Sequence, residues 1–190
     1  MEGMSKTNQN TQYLFNSLHN TSAELIELIS SADSREINSV PFKNSWTAAQ
    51  LGAHIIKSNK AIIQAMDMQG KTAQRDPGER KGELKSMFLD YKIKFQSPDF
   101  ITPGQQIYEK STLIADLKKS IKQLKLIIPK TDITEIISLP SFGEITKLEL
   151  AWFVLYHTKR HIHQLKKIFA SLSKNESFTE DKIQKGGAHN

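Results

Sequence analysis

Between Thr11 and Ser31, Leu14, Leu18, Leu25 and Leu28 recur in steps of three and four through Thr21, and Ile29 widens the stripe. That period predicts an amphipathic helix. Thr21-Ser22-Ala23-Glu24 also fits a capping box, so a helix start or break there is the alternative. A second stripe, Leu51, Ile55, Ile62 and Met66, predicts a helix from about Trp46 to Gln69, capped by Asn44 or Ser45 and stopped by Gly70. A third, Leu113, Leu117, Ile121, Leu124 and Ile128, predicts a helix from Ser111 to Ile128, ended by Pro129. Thr146-Lys147-Leu148-Glu149 is a capping box that opens a fourth helix, running to about Ser173.

The stretch between the second and third stripes is the least regular. Asp76-Pro77-Gly78, Ser97-Pro98 and Thr102-Pro103-Gly104 are breaks, and Glu83 to Phe95 suits a short helix carrying Leu84, Met87, Phe88 and Tyr91. Residues 71–110 are too long for a hairpin connection. They suit a crossover that passes over one end of a bundle and covers a site; a poorly ordered loop is the alternative. Ile133 to Leu139 and Pro140 to Gly143 read as a lead-in to the last helix. No internal repeat, glycine-rich phosphate loop or strand-rich segment is present. The expected fold is all-α, a four-helix bundle with a long crossover between helices 2 and 3. It occupies residues 11–173, with a polar, flexible N-terminus (1–10) before it and a polar tail (174–190) after it.

Composition changes this picture little. Among 190 residues, 38% are hydrophobic and 24% charged, and no apolar run reaches the ~18 residues of a membrane span. The opening residues lack the apolar segment of a secretion signal, and the absence of cysteine excludes disulfides and thiolate metal sites. A cytoplasmic protein is expected. The net charge of +6 and pI near 9.4 raise the question of nucleic acid. The lysines are spread, however, and Lys118, Lys119, Lys122 and Lys125 have no interleaved aromatics. A solvated basic surface is the preferred reading, and nucleic-acid binding the lesser one.

The candidate chemistry lies in histidines. At about 100° per residue, His157 and His161 fall within roughly 40° of each other, and Leu150, Phe153, Gln164 and Ile168 share their face. Two imidazoles therefore interrupt an apolar stripe, and burying them unpartnered is costly. A shared metal ion would satisfy both. A third ligand must come from elsewhere, and His54 is the histidine that lies deep inside another helix, on a face with the small residues Thr47, Ser58, Ala61 and Ala65. The alternative is a pair of core histidines hydrogen-bonded to backbone, Gln164 or Glu149. His163 is turned about 120° from His157 and is expected to be exposed or packed on a neighbour; His19 reads as a surface residue and His189 as part of the tail. Position 158 is threonine, so this is not the His-Glu-x-x-His protease motif.

Two runs carry a family resemblance. Asn44-Ser45-Trp46-Thr47-Ala48-Ala49-Gln50-Leu51-Gly52-Ala53-His54 resembles the first histidine segment of DinB-like proteins, the family that includes the YfiT-type proposed metal-dependent hydrolases. Phe142 to Thr146, followed by Phe153-Val154-Leu155-Tyr156-His157-Thr158-Lys159-Arg160-His161-Ile162-His163-Gln164-Leu165, resembles the second. The resemblance implies a four-helix bundle of DinB/YfiT type holding a divalent ion on His54, His157 and His161. It also implies a small-molecule substrate, a low-molecular-weight thiol among the options, and a homodimer. Zinc or nickel, then iron, suit three imidazoles. Such a site activates water for hydrolysis or a thiol for transfer. No carboxylate is evidently placed as a general base, which favours thiol chemistry. Arg160 and Gln164 are the expected substrate-binding residues, with surface pairing the alternative for Arg160 and metal support the alternative for Gln164. A non-catalytic, stress-related bundle is the competing reading.

Overall fold

The computed structural model describes residues 2–186, with side chains described for 11–174. Five α-helices and three short strands occur, in the order α1 (Glu2–Ser31), α2 (Ala48–Asp67), β1 (Lys71–Thr72), α3 (Lys81–Leu89), α4 (Lys110–Ile127), β2 (Glu135–Leu139), β3 (Gly143–Thr146) and α5 (Lys147–Gly186). The long helices α1, α2, α4 and α5 form the bundle, and α3 packs on α5. α1 starts at Glu2 and α5 continues to Gly186, both beyond the apolar stripes that predict them. His189 lies outside the described residues.

Each helix start has a local cause. At α2 the cap is Thr47, not Asn44 or Ser45: its hydroxyl accepts from the Gln50 amide, and the Gln50 side chain accepts from the Thr47 amide. Trp46 therefore stands before the helix, and Asn44 takes a left-handed turn conformation (φ 62°). Glu109 caps α4 through the amides of Ser111 and Thr112. Thr146 and Glu149 form the expected box at α5, at 2.9 and 3.1 Å. α2 ends at Asp67, ahead of Gly70. Gly70 serves another purpose: a Cβ there would lie 2.8 Å from the Ile136 carbonyl oxygen, so glycine lets the chain run close against β2.

The small antiparallel sheet, ordered β1-β2-β3, was not expected. Its strands are too short to show a clear alternation in the sequence, but Ile137 and Ile145 pair directly and are both buried. Gly143 makes the turn between them with φ +63°. The predicted helix from Glu83 to Phe95 forms earlier, over Lys81–Leu89, and residues 90–97 are irregular.

Two apolar clusters fill the bundle. One gathers Leu14, Leu18, Ile62, Met66, Leu124 and Trp152; the other gathers Leu25, Ile29, Leu51, Leu113, Leu117 and Leu165. α1 and α5 run from the first cluster to the second, whereas α2 and α4 both run from the second to the first. Helices α2 and α4 are thus parallel, and residues 68–109 must return along the bundle to join them. Buried polar residues stand where the clusters meet: Thr21 and Ser22 on α1, Ser58 and Asn59 on α2, Ser120 on α4, His157, Thr158 and His161 on α5. Asn59 donates to the Ser120 hydroxyl at 3.0 Å, and the Ser22 and Thr158 hydroxyls donate to carbonyls one turn back. Among the described residues no helix is long and apolar enough to cross a membrane.

Candidate metal centre

α5 is enclosed on nearly every side from Lys147 to Thr158, since α1, α2, α3 and the sheet all pack on it. His157 and His161 therefore sit inside the bundle, one turn apart, and α2 brings His54 to meet them. Each offers a ring nitrogen, and these atoms lie within 4.8 Å of one another. The exposures are 2% for His54, 5% for His161 and 8% for His157, so water does not solvate these rings. Aromatic neighbours complete the walls. The Trp46 ring lies 5.1 Å from His54, and Phe153 stacks on His157 at 4.9 Å.

Hydrogen bonds assign the tautomers. His54 Nδ1–H donates to the Ile101 carbonyl at 3.0 Å, because a carbonyl can only accept. His161 Nδ1–H donates to Gln164 Oε1 at 2.5 Å. Both rings therefore present a bare Nε2 lone pair to the centre. His157 Nε2 faces both, 3.3 Å from His54 Nε2 and 2.8 Å from His161 Nε2. A single proton on His157 Nε2 can serve one neighbour and not both, so a protein-only arrangement leaves one of the two facing lone pairs without a donor. A cation satisfies all three. Nitrogens bound at about 2.0–2.1 Å around one tetrahedral ion stand roughly 3.3 Å apart; the His54–His157 pair has that spacing, and the His157–His161 pair is closer, at 2.8 Å.

Electrostatics favour the same species. Burial holds His157 well below the ordinary imidazole range, and the neighbouring His161, His54 and Arg160 push it further. Burial likewise lowers His161 to about 3, against the raising effect of Gln164. His54 is lowered by burial, opposed by its bond to Ile101. Neutral imidazoles are what a metal requires.

The remaining sequence candidates fall as follows. Gln164 is on the histidine face and accepts from His161, fixing that ring, rather than standing free. Arg160 is buried and turned to the connection after α3: its guanidinium donates to the carbonyls of Phe88 (3.3 Å), Asp90 (3.0 Å) and Ile93, and lies 4.7 Å from the Phe95 ring. The reading of Arg160 as a substrate or surface residue did not include this engagement, because carbonyl acceptors have no sequence signature. His163 is turned away and stacks on Tyr91 at 3.8 Å. His19 is exposed, beside Lys125. Glu149 is enclosed; burial raises it, but Arg75 and the amides of Thr146 and Arg80 outweigh burial and hold it below the usual carboxylate range. It is thus committed to structure. Among the described residues no carboxylate joins the three histidines. The Ile101 carbonyl is the partner that sequence reasoning missed.

A family model described as the DinB superfamily matches residues 17–165. Two solved structures share the fold. "YfiT from Bacillus subtilis", described as a probable metal-dependent hydrolase with an unusual four-helix bundle topology, is 12% identical with a TM-score of 0.57, covering 85% of this chain and 87% of its own. TT2238, described as a four-helix bundle protein, is 15% identical with a TM-score of 0.55, covering 82% of this chain and 98% of its own. No curated protein sequence matches.

Proposed function

The chain belongs to the DinB superfamily, and on that premise we propose that His54, His157 and His161 hold a divalent metal ion in an enzyme acting on a small molecule. The observation that carries this is the convergence of three neutral Nε2 atoms, two of them held unprotonated by Ile101 and Gln164. Zinc or nickel, then iron(II), suit an all-imidazole set. Three neutral ligands leave an ion's charge uncompensated and a position open, and the ion then supplies Lewis acidity that lowers the pKa of a water or thiol. The protein's own part is to fix the three rings and exclude bulk water with Trp46, Phe88 and Phe153.

The hydrolase description of the YfiT relative supports metal-assisted chemistry. Absence of a carboxylate from the cluster among the described residues supports a thiol substrate over hydrolysis, since a thiolate needs no general base once formed. A low-molecular-weight thiol is therefore the proposed co-substrate: it gives up its proton to solvent, and its thiolate forms a sulfur–carbon bond to a small electrophile as a leaving group departs with its electron pair. The protein is proposed to act as a homodimer in the cytoplasm. The near-complete burial of the three rings favours a second reading, a metal-binding bundle without turnover.

Elemental analysis of untagged protein tests the site. Near one zinc or nickel per chain is expected, and its loss in His157→Ala; a protein that is metal-free and refuses added zinc and nickel overturns it. A thiol-transfer screen on metal-loaded protein then separates the two readings, because full metal occupancy without turnover favours the second.

A further inference from the structure

Residues 88–105 cross from α5 to α2 at the level of the histidines, and side chains hold them by their main-chain carbonyls. Arg160 takes the carbonyls of Phe88, Asp90 and Ile93. On α2, Gln50, His54 and Lys57 stand at successive turns of one face. Gln50 donates to the Gly104 carbonyl at 3.1 Å, His54 to that of Ile101 at 3.0 Å and Lys57 to that of Thr102 at 2.6 Å. The cause is local. Asp99–Ile101 is a single 3-10 turn, and the carbonyls at its end have no further helical amide to accept from. They turn to α2, and one of them chooses the proton position on a candidate metal ligand.

We propose that this segment is a working strap of the metal centre, and that Lys57, Gln50 and Arg160 are positioning residues that hold the Ile101 carbonyl against His54. The inference rests on the metal reading above. With the strap seated, His54 keeps its proton on Nδ1 and directs a bare Nε2 at His157 and His161. With the strap lifted, Nδ1 loses its carbonyl, either nitrogen can carry the proton, and the third ligand is no longer pre-set. The same movement uncovers the ring, so access to the centre and retention of its ion are coupled through one hydrogen bond. Lys57 is exposed and lies one turn from His54, so it acts through the strap.

The test uses full-length Lys57→Met and Arg160→Lys proteins, with Lys60→Met as a control on an exposed position of the same helix. Zinc release to a chelator is followed after loading, and the His54 tautomer is read from imidazole nitrogen resonances in metal-free protein. Loss of an outer hydrogen bond to a ligating histidine typically weakens metal affinity 10- to 100-fold. Lys57→Met and Arg160→Lys are expected to release zinc about tenfold faster, with faster amide exchange over residues 94–105 and a mixed His54 tautomer. Lys60→Met should behave as wild type. If the strap amides exchange faster while zinc release and tautomer stay unchanged, the proposal is overturned. If wild type takes up no zinc, the metal reading fails, while a Lys57-dependent tautomer in that same protein still supports the strap's hold on His54.

Discussion

Arg75 grips Glu149 with both terminal nitrogens, at 2.6 and 2.8 Å, joining the connection after α2 to the first turn of α5. The carboxylate is enclosed, and its other bonds come from the amides of Thr146 and Arg80. Removing the guanidinium leaves a buried charge on two amides. Arg75→Met is expected to cost about 2–4 kcal/mol, toward the lower side of the range for breaking buried pairs because Arg75 is partly exposed. Urea denaturation measures it; a cost under about 0.5 kcal/mol would mean that solvent already screens the pair.

The unmatched lone pair of the histidine cluster predicts an inversion between stability and binding. His157→Met removes one of three converging nitrogens and fills the space with an apolar chain. Metal-free variant should be about 1 kcal/mol more stable than metal-free wild type, a rise of roughly 2–4 °C in Tm. It should take up no zinc. Calorimetry of both proteins, with and without metal, decides; stoichiometric zinc in the variant contradicts the ligand assignment.

Acid should unfold the metal-free protein early. His161 is held at about 3 in the folded chain against an ordinary 6.5, and His157 is depressed too. The unfolded chain then binds protons that the folded chain refuses, so stability falls as pH drops from about 6.5 toward 3. Depressed imidazoles give full stability above their unfolded value and lose it below. Tm measured at intervals from pH 7.5 to 4.5 should decline, and His161→Gln should flatten the slope. A flat wild-type profile between pH 6.5 and 5 would rule out buried neutral rings.

Two glycines predict opposite outcomes. A methyl at Gly70 meets the Ile136 carbonyl at 2.8 Å and the Glu135 Cβ at 2.9 Å, so Gly70→Ala must push β2 away, at about 1–3 kcal/mol. A methyl at Gly82, in α3, meets nothing within 4 Å, so Gly82→Ala should stabilise by up to about 1 kcal/mol. Chemical denaturation of both variants checks the pair, and equal effects would contradict the close approach at Gly70.

The residues that could be read in advance are those whose message is periodic or local. The leucine and isoleucine stripes located the bundle helices, and Thr146 with Glu149 located a start. His157 and His161 could be seen because four-residue spacing sets them on one face, already interrupting an apolar stripe. What stayed hidden depends on main-chain partners. Ile101 contributes to His54 through a carbonyl, which any residue carries. Arg160 recognises three more, so its sequence position suggested a free cation. Gly70 resembled a helix stop because glycine marks both stops and close approaches, and only the neighbouring strand distinguishes them. The strands of Glu135–Leu139 and Gly143–Thr146 are too short for alternation to register.

The polar residues between the two apolar clusters bear on how the helices find their alignment. Leucine stripes alone would tolerate sliding one helix past another by a turn, about 5.4 Å. Here such a slip would carry the Asn59 amide away from Ser120 and leave it facing aliphatic side chains. Each lost partner costs about 1–3 kcal/mol. The polar layer at the level of the three histidines is therefore also the index mark that sets the bundle's register, and it does so with protein groups alone.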